Sequence, residues 1–258
     1  MRDRRRAVVS EQLRRRRKTV ASIAVLVVLV IAGVLITRSP IFSVTTVQVE
    51  GLAASQRQVV REALGIRRGE NALTVDLEAA TTRVERLPWV AAADVRRLPP
   101  AGVIVTVARR RPAVTLRLRD AAWKLDAHGV VMAGGRGKGL PTVFAPDADA
   151  PPPGEPVSHA GVRQALGVYR RLSGPQRADI TRYDARRPRD VRVLVSSEVA
   201  RGLGNDRGLW IRIGEPEQVV TKMRVARALM RRLKATGPTV PVAGLDVRVA
   251  GNPVAIRR

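Results

Sequence analysis

Val20 to Ile36, VASIAVLVVLVIAGVLI, carries no charged side chain, and Ser22 is its only polar one. As a helix rising ~1.5 Å per residue it covers about 25 Å, slightly short of a ~30 Å hydrocarbon core. Thr19 and Thr37 extend it, and Lys18 and Arg38 can snorkel at its two ends. Ahead of it lie RDRRR (2–6) and RRRRK (14–18); behind it only Arg38 and Arg57 occur before residue 61. That Lys/Arg asymmetry predicts a single-pass type II topology, with the N-terminus in the cytoplasm and everything after Ile36 outside. The run exceeds the ~7–15 residues of a signal-peptide core, and TRSP (37–40) offers no small-x-small cleavage site. The expectation is an uncleaved transmembrane helix over 19–37 behind a basic cytoplasmic tail, 1–18.

Export narrows the chemistry. With no cysteine there is neither a disulfide framework nor a thiolate metal site. The formal charge is +25, of which residues 1–18 supply +7. Nucleic acid is the reflex partner for such a chain, but a domain outside the membrane does not meet it. Arg in excess of Lys, beside much Ala, Val, Gly and Pro, also fits a GC-rich genome. A basic surface could still attract lipid headgroups or anionic wall polymer. The only two histidines, His128 in a turn and His159 at a helix start, read as surface residues. GGRGKG (134–139) lacks the first Gly of a phosphate loop and has Gly139 where Ser or Thr would bind Mg²⁺. Carboxylates are scattered among arginines, so no acid/base pair or cation cage is expected. The reading is a non-enzymatic protein with no catalytic, cofactor-binding or metal-binding residues, acting through surfaces.

After Pro40, FSVTTVQVEG (42–51) alternates as a half-buried strand that Gly51 ends. Ser55 to Gln58 has a capping-box pattern, opening a helix with Val59/Ala63 and Val60/Leu64 inward and Gly65 past its end. Asp76 caps a second helix with Leu77, Ala80, Thr81, Val84 and Leu87 inward, stopped by Pro88. Val90–Arg97 reads as a strand, PPAG (99–102) as a turn, and Val103, Val105 and Val107 alternate in the next strand. Leu77, Val84 and those three valines are expected to share one core.

This β-α-α-β-β order, with LPWVAAADVRRLPPAGVIVTVARRRPAV (87–114), resembles the FtsQ/DivIB division proteins. The resemblance rests on the Leu-Pro-Trp-Val segment (Pro88, Trp89 and Val90), the Pro-containing turn, the Val-rich strand and the Arg-x-Pro exit. It implies a POTRA domain over 42–110 and an FtsQ-type β domain over 111–258. Arg109 stands where the family usually has Glu, so no ion pair is carried over there. Trp89 alone reads as a core plug.

The second segment reads as short strands at 114–118, 123–126, 130–132, 191–195 and 209–213. A helix capped by Ser158 carries Val162, Ala165, Leu166, Tyr169 and Leu172 inward. A longer one, about 217–235, carries Val219, Met223, Ala226, Met230 and Leu233 inward. Last comes GLDVRVAGNPVAIRR (244–258), where Leu245, Val247 and Val249 share a face, and Val254 and Ile256 follow a Gly-Asn-Pro turn. The family places an Ile-Arg strand, a helix entered near a Lys (Lys222) and an Asp-ø-Arg strand (Asp246, Arg248) in this order. The expected fold class is α+β: one transmembrane helix, a POTRA domain, then a mixed α/β domain with a mainly antiparallel sheet.

The resemblance implies a bitopic divisome scaffold at the division septum, binding FtsB-like and FtsL-like proteins and indirectly controlling FtsW/FtsI-type synthases. A POTRA-type envelope chaperone or secretion accessory is the alternative. Outer-membrane versions continue into barrels with aromatic girdles, which three Trp, two Tyr and two Phe cannot supply. The predicted docking mode is strand addition to the last strand. The candidate partner-binding residues are Leu245, Asp246, Val247, Arg248, Val249, Val254 and Ile256, with Arg257 and Arg258 as possible edge guards.

Overall fold

A computed structural model describes residues 22–33, 39–99, 101–203, 205–237 and 240–257. The basic tail 1–18 and both ends of the expected membrane helix lie outside these residues. Within the apolar run, 22–33 is helical (α1) with its large side chains exposed. No helix among the described residues is long and apolar enough to cross a membrane.

The chain forms two compact units. One comprises residues up to Val84 with Ala93–Val107; the other comprises Glu85–Ala92 with Ala108–Arg258. The first runs β1 (Thr46–Glu50), α2 (Ala54–Leu64), α3 (Leu77–Glu85), β2 (Val90–Leu98) and β3 (Gly102–Arg109). Its sheet has the order β1-β3-β2, and β1 is parallel to β3. Val103, Val105 and Val107 are buried, as are Val60 and Leu64 of α2 and Ala80 and Val84 of α3. Leu77 is only half-buried and Val59 is exposed, so both fall outside the core assigned to them.

Local caps differ from expectation in two places. The N-cap of α2 is Ala53, not Ser55, and makes no side-chain bond. Gln58 instead donates to Glu62 one turn on, at 2.8 Å. Asp76 does cap α3, its Oδ1 accepting from Ala79 N–H at 2.9 Å. Gly65 closes α2 at φ +64°, a left-handed position that glycine adopts without strain.

In the second unit nine strands form one sheet. They are β4 (Val114–Arg117), β5 (Ala122–Leu125), β6 (Val131–Gly134), β7 (Thr142–Phe144), β8 (Ile180–Asp184), β9 (Val191–Val195), β10 (Leu209–Gly214), β11 (Val242–Asp246) and β12 (Val254–Arg257). The order is β12-β11-β10-β9-β8-β7-β4-β5-β6. The β10/β11, β7/β8 and β4/β7 pairs are parallel; the others are antiparallel. Helix α4 (Ala160–Arg171) and then short α5 (Gly174–Ala178) connect β7 to β8. Short α6 (Ser197–Ala200) follows β9, and α7 (Val219–Thr236) crosses from β10 to β11. Both crossovers let parallel neighbours pair while the helices cover the apolar face.

That core gathers Val162, Ala165 and Leu166 of α4, Met223, Ala226 and Met230 of α7, and the alternate residues Val191, Val193, Val195, Leu209, Ile211 and Ile213. Helix α4 is capped by His159 rather than Ser158: its Nδ1 accepts from Val162 N–H at 3.3 Å. Lys222 is buried in α7 and donates from Nζ to the carbonyls of Ile213 and Glu215, at 3.0 and 3.1 Å. Burial lowers its pKa, with Glu217 and Glu215 acting against that shift.

Candidate partner-docking edge

The nine-stranded sheet has two edges. Over part of β6 the edge is covered by the segment at Gly154–Glu155: Val131 N–H donates to Glu155 O at 2.9 Å and Gly154 N–H to Val131 O at 2.8 Å. At the other edge, β12 pairs with β11 on one side only. No strand among the described residues takes its second side.

The register decides which backbone groups face out. Val247 N–H donates to Arg212 O at 3.0 Å, so the odd residues at the end of β11 bond towards β10. Gly244 and Asp246 therefore bond the opposite way, to their partners Ile256 and Val254. Alternation along an antiparallel pair leaves the N–H and C=O of Ala255 aimed at the open edge.

The side chains follow the same ladder. Leu194, Trp210, Gly244 and Ile256 lie in one cross-strand row, and Arg192, Arg212, Asp246 and Val254 in the next. All sit on the face opposite the helices. Val254 and Ile256 are exposed by 50% and 44%, an apolar pair on an unpaired strand. Gly244 leaves a notch of about 230 Å³ between Trp210 and Ile256, walled also by Arg192, Arg212, Ala243 and Leu245.

A charged row stiffens the strands behind this edge. Arg212 donates to both oxygens of Asp190, and Arg192 to Oδ2 of the same carboxylate at 3.1 Å. Burial alone would raise the Asp190 pKa, but the Arg212 and Arg192 hydrogen bonds outweigh it and hold the group below the usual carboxylate range. Asp184 is lowered in the same way, its burial outweighed by Arg186, and so is Asp246, by Arg248. These carboxylates stay ionised through neutral pH. Their stabilisation is present above the unfolded-state pKa and is lost as pH falls through the lowered folded-state value.

The structure separates the seven residues proposed from sequence. Leu245 and Asp246 belong to β11, an inner strand, and Leu245 and Val247 are buried in the core. Arg248 lies in the bend beyond, and only Val254 and Ile256 lie on the edge strand. Val249 does not join Leu245 and Val247 in the core: it is 66% exposed, in the turn before β12. The reason is local. Asp246 Oδ1 accepts from Arg248 N–H at 3.1 Å while the Arg248 guanidinium grips both oxygens, bending the chain out of the strand. Sequence reading missed Trp210, Gly244 and Ala255. The alternation of 209–213 places Trp210 opposite the core face, but strand order alone brings it beside Ile256.

Pro88, Trp89 and Val90 have a different role. Arg110 N–H donates to Trp89 O at 2.8 Å, its Nε to Pro88 O at 3.1 Å and its Nη2 to Val90 O at 2.7 Å. The motif supplies three carbonyls to one arginine, and the Trp89 side chain is half-buried.

A family model described as a POTRA domain of the FtsQ type matches residues 42–110. The chain is also similar to three proteins named cell division protein FtsQ. That of Streptomyces bingchenggensis is 30% identical over 241 residues, 88% of this chain and 86% of the relative. That of Anaeromyxobacter sp. (strain K) is 29% identical over 227 residues, 85% of this chain and 73% of the relative. That of Syntrophotalea carbinolica is 32% identical over 146 residues, 55% of this chain and 51% of the relative, so the match spans about half of that protein.

Proposed function

The chain belongs to the FtsQ family of cell division proteins, and we propose that it works there as a non-enzymatic scaffold, offering β12 to an extended segment of an FtsB-like partner. The observation that carries this reading is the open edge of β12, with an outward Ala255 N–H and C=O and exposed Val254 and Ile256. Main-chain bonds supply affinity in strand addition, and pockets for alternate side chains supply selectivity. The notch at Gly244 is such a pocket. Through that partner and an FtsL-like protein the scaffold helps control septal synthases of the FtsW/FtsI type. The POTRA-type chaperone or secretion accessory remains the alternative function, and nothing at this edge favours it.

Proline tests the edge cleanly. Ala255→Pro deletes an N–H that no strand among the described residues uses, so the sheet keeps its own bonds. In full-length detergent-solubilised protein the variant should melt within a few degrees of wild type. Its affinity for the FtsB-like protein of the same genome, measured by interferometry, should fall at least tenfold, about 1.4 kcal/mol. Arg257→Ala should act mainly through the salt dependence of binding. Wild-type affinity in a folded Ala255→Pro protein would remove β12 as the docking strand.

The scaffold is proposed to reside in the cell membrane as a type II protein concentrated at the septum. The support is the apolar run 20–36 behind nine Lys/Arg within residues 1–18. A reporter active only outside the cytoplasm, fused after Arg258, should be active. Its silence beside a working cytoplasmic reporter at the same site would reverse the topology.

A further inference from the structure

Helix α7 carries six Lys/Arg and no Asp or Glu. Its buried side holds Met223, Ala226 and Met230. On its outer side Val220, Arg224, Arg227, Arg231 and Lys234 recur three or four residues apart, forming one stripe. Like charges at that spacing destabilise a helix by a few tenths of a kcal/mol per pair, and interspersed acids would relieve them. Codon bias accounts for Arg over Lys, but not for the missing carboxylates.

The stripe is one wall of a groove of about 690 Å³, closed on the other side by Gln176, Asp179 and Val199. Asp179 is the groove's sole carboxylate, and Arg227 already pairs with it at 2.6 Å. Among the described residues, Arg224, Arg231 and Lys234 make no ion pair. The apolar part of the lining is Val199, Met230 and the 44% exposed Val220.

We propose that this groove is a second docking site, taking an acidic amphipathic helical segment of another protein. Carboxylates would meet Arg224, Arg231 and Lys234, while apolar side chains at helical spacing would cover Val199 and Val220. The lining has no aromatic ring to stack on a sugar, and a groove with apolar side chains between its charges does not match a flat headgroup surface. A second copy of this chain, itself at +25, would meet the stripe with like charge. The groove shares no lining residue with the notch at Gly244, so the two sites can fail independently.

The test uses full-length detergent-solubilised protein and a fluorescein-labelled 18-residue peptide. The peptide is built from Glu, Ala and Leu, with leucines at i, i+3, i+4 and i+7, and is followed by anisotropy. Arg224→Glu/Arg231→Glu should weaken binding at least tenfold. Arg57→Glu/Arg67→Glu, an equal charge change on the first unit, should weaken it less than twofold. Val220→Asn should cost about threefold, and a scrambled peptide of the same composition should bind at least tenfold more weakly. Equal losses in the two charge-reversed proteins would reduce the effect to bulk charge and overturn the proposal. So would equal binding of the scrambled peptide. Displacement of the labelled peptide by polyglutamate or poly(glycerol phosphate) at matched charge would also overturn it, making the face a general polyanion surface.

Discussion

Val105→Asp is expected to unfold the three-stranded unit while leaving the nine-stranded unit folded. Strand β3 lies between β1 and β2, so Val105 has a strand on each side, and it is paired with Val49. Its side chain is 0% exposed, in the core with Val60, Leu64, Ala80 and Val84. The substitution forfeits about 2 kcal/mol of valine burial. It also places a carboxylate where no partner waits, a further cost of several kcal/mol or a forced protonation. Against a typical domain stability of about 5–15 kcal/mol, that is enough to open a unit this small. Limited proteolysis of the full-length variant should cut rapidly between 42 and 110 and spare 111–258. Val105→Ile, which keeps the apolar character, should resist. Wild-type resistance of Val105→Asp would mean that the strand's inward phase is wrong.

Such a prediction is possible because the β3 alternation was legible: Val103, Val105 and Val107 point inward at every second position, and all three are buried. The apolar faces of α4 and α7 were equally plain in spacing. Strands β7 and β8 were not. β7 is three residues long, and β8, ITRYD, buries Ile180 and Tyr183 across a register irregularity that breaks strict alternation. Their pairing is parallel and depends on a crossover through α4 and α5, a distant arrangement that no local window contains.

The docking edge was half legible for a related reason. Continuous alternation through Leu245, Val247 and Val249 hides the Asp246–Arg248 bend that ends β11 at Asp246, so the first of the two strands reads as longer than it is. Which of them is outermost depends on the β10/β11 crossover. Ala255 has no distinguishing side chain, and its part in the edge comes entirely from the direction of its backbone groups. A site made of main-chain donors leaves little trace in residue identity.

The Arg-x-Pro exit shows the reverse case, a motif visible in sequence whose work was not, and it gives the second large effect. Arg110 is nearly buried, with its side chain 13% exposed and that of its ion-pair partner Asp126 7% exposed. Its Nη1 donates to Asp126 Oδ2 while Nε and Nη2 serve the Pro88 and Val90 carbonyls. Asp126 Oδ1 in turn accepts from His128 and Val130 N–H, at 2.8 and 2.9 Å, and closes the turn between β5 and β6. Arg110→Ala strands Oδ2 and two carbonyls away from water, and should cost about 3–5 kcal/mol. Arg110→Lys keeps the charge, but a single ammonium cannot reach three acceptors in a planar fork, so most of the loss should remain. Asp126→Asn retains the Oδ1 acceptor and should cost less than Arg110→Ala. Arg110→Met/Asp126→Asn removes both charges together while the Asn Oδ1 keeps the His128 and Val130 bonds. It should recover the part of the loss that comes from an unpaired buried charge, the Pro88 and Val90 carbonyls still lacking their donor. Urea melts of the four full-length proteins measure these differences. A loss below about 1 kcal/mol for Arg110→Ala would place the pair in water, as an ordinary surface salt bridge.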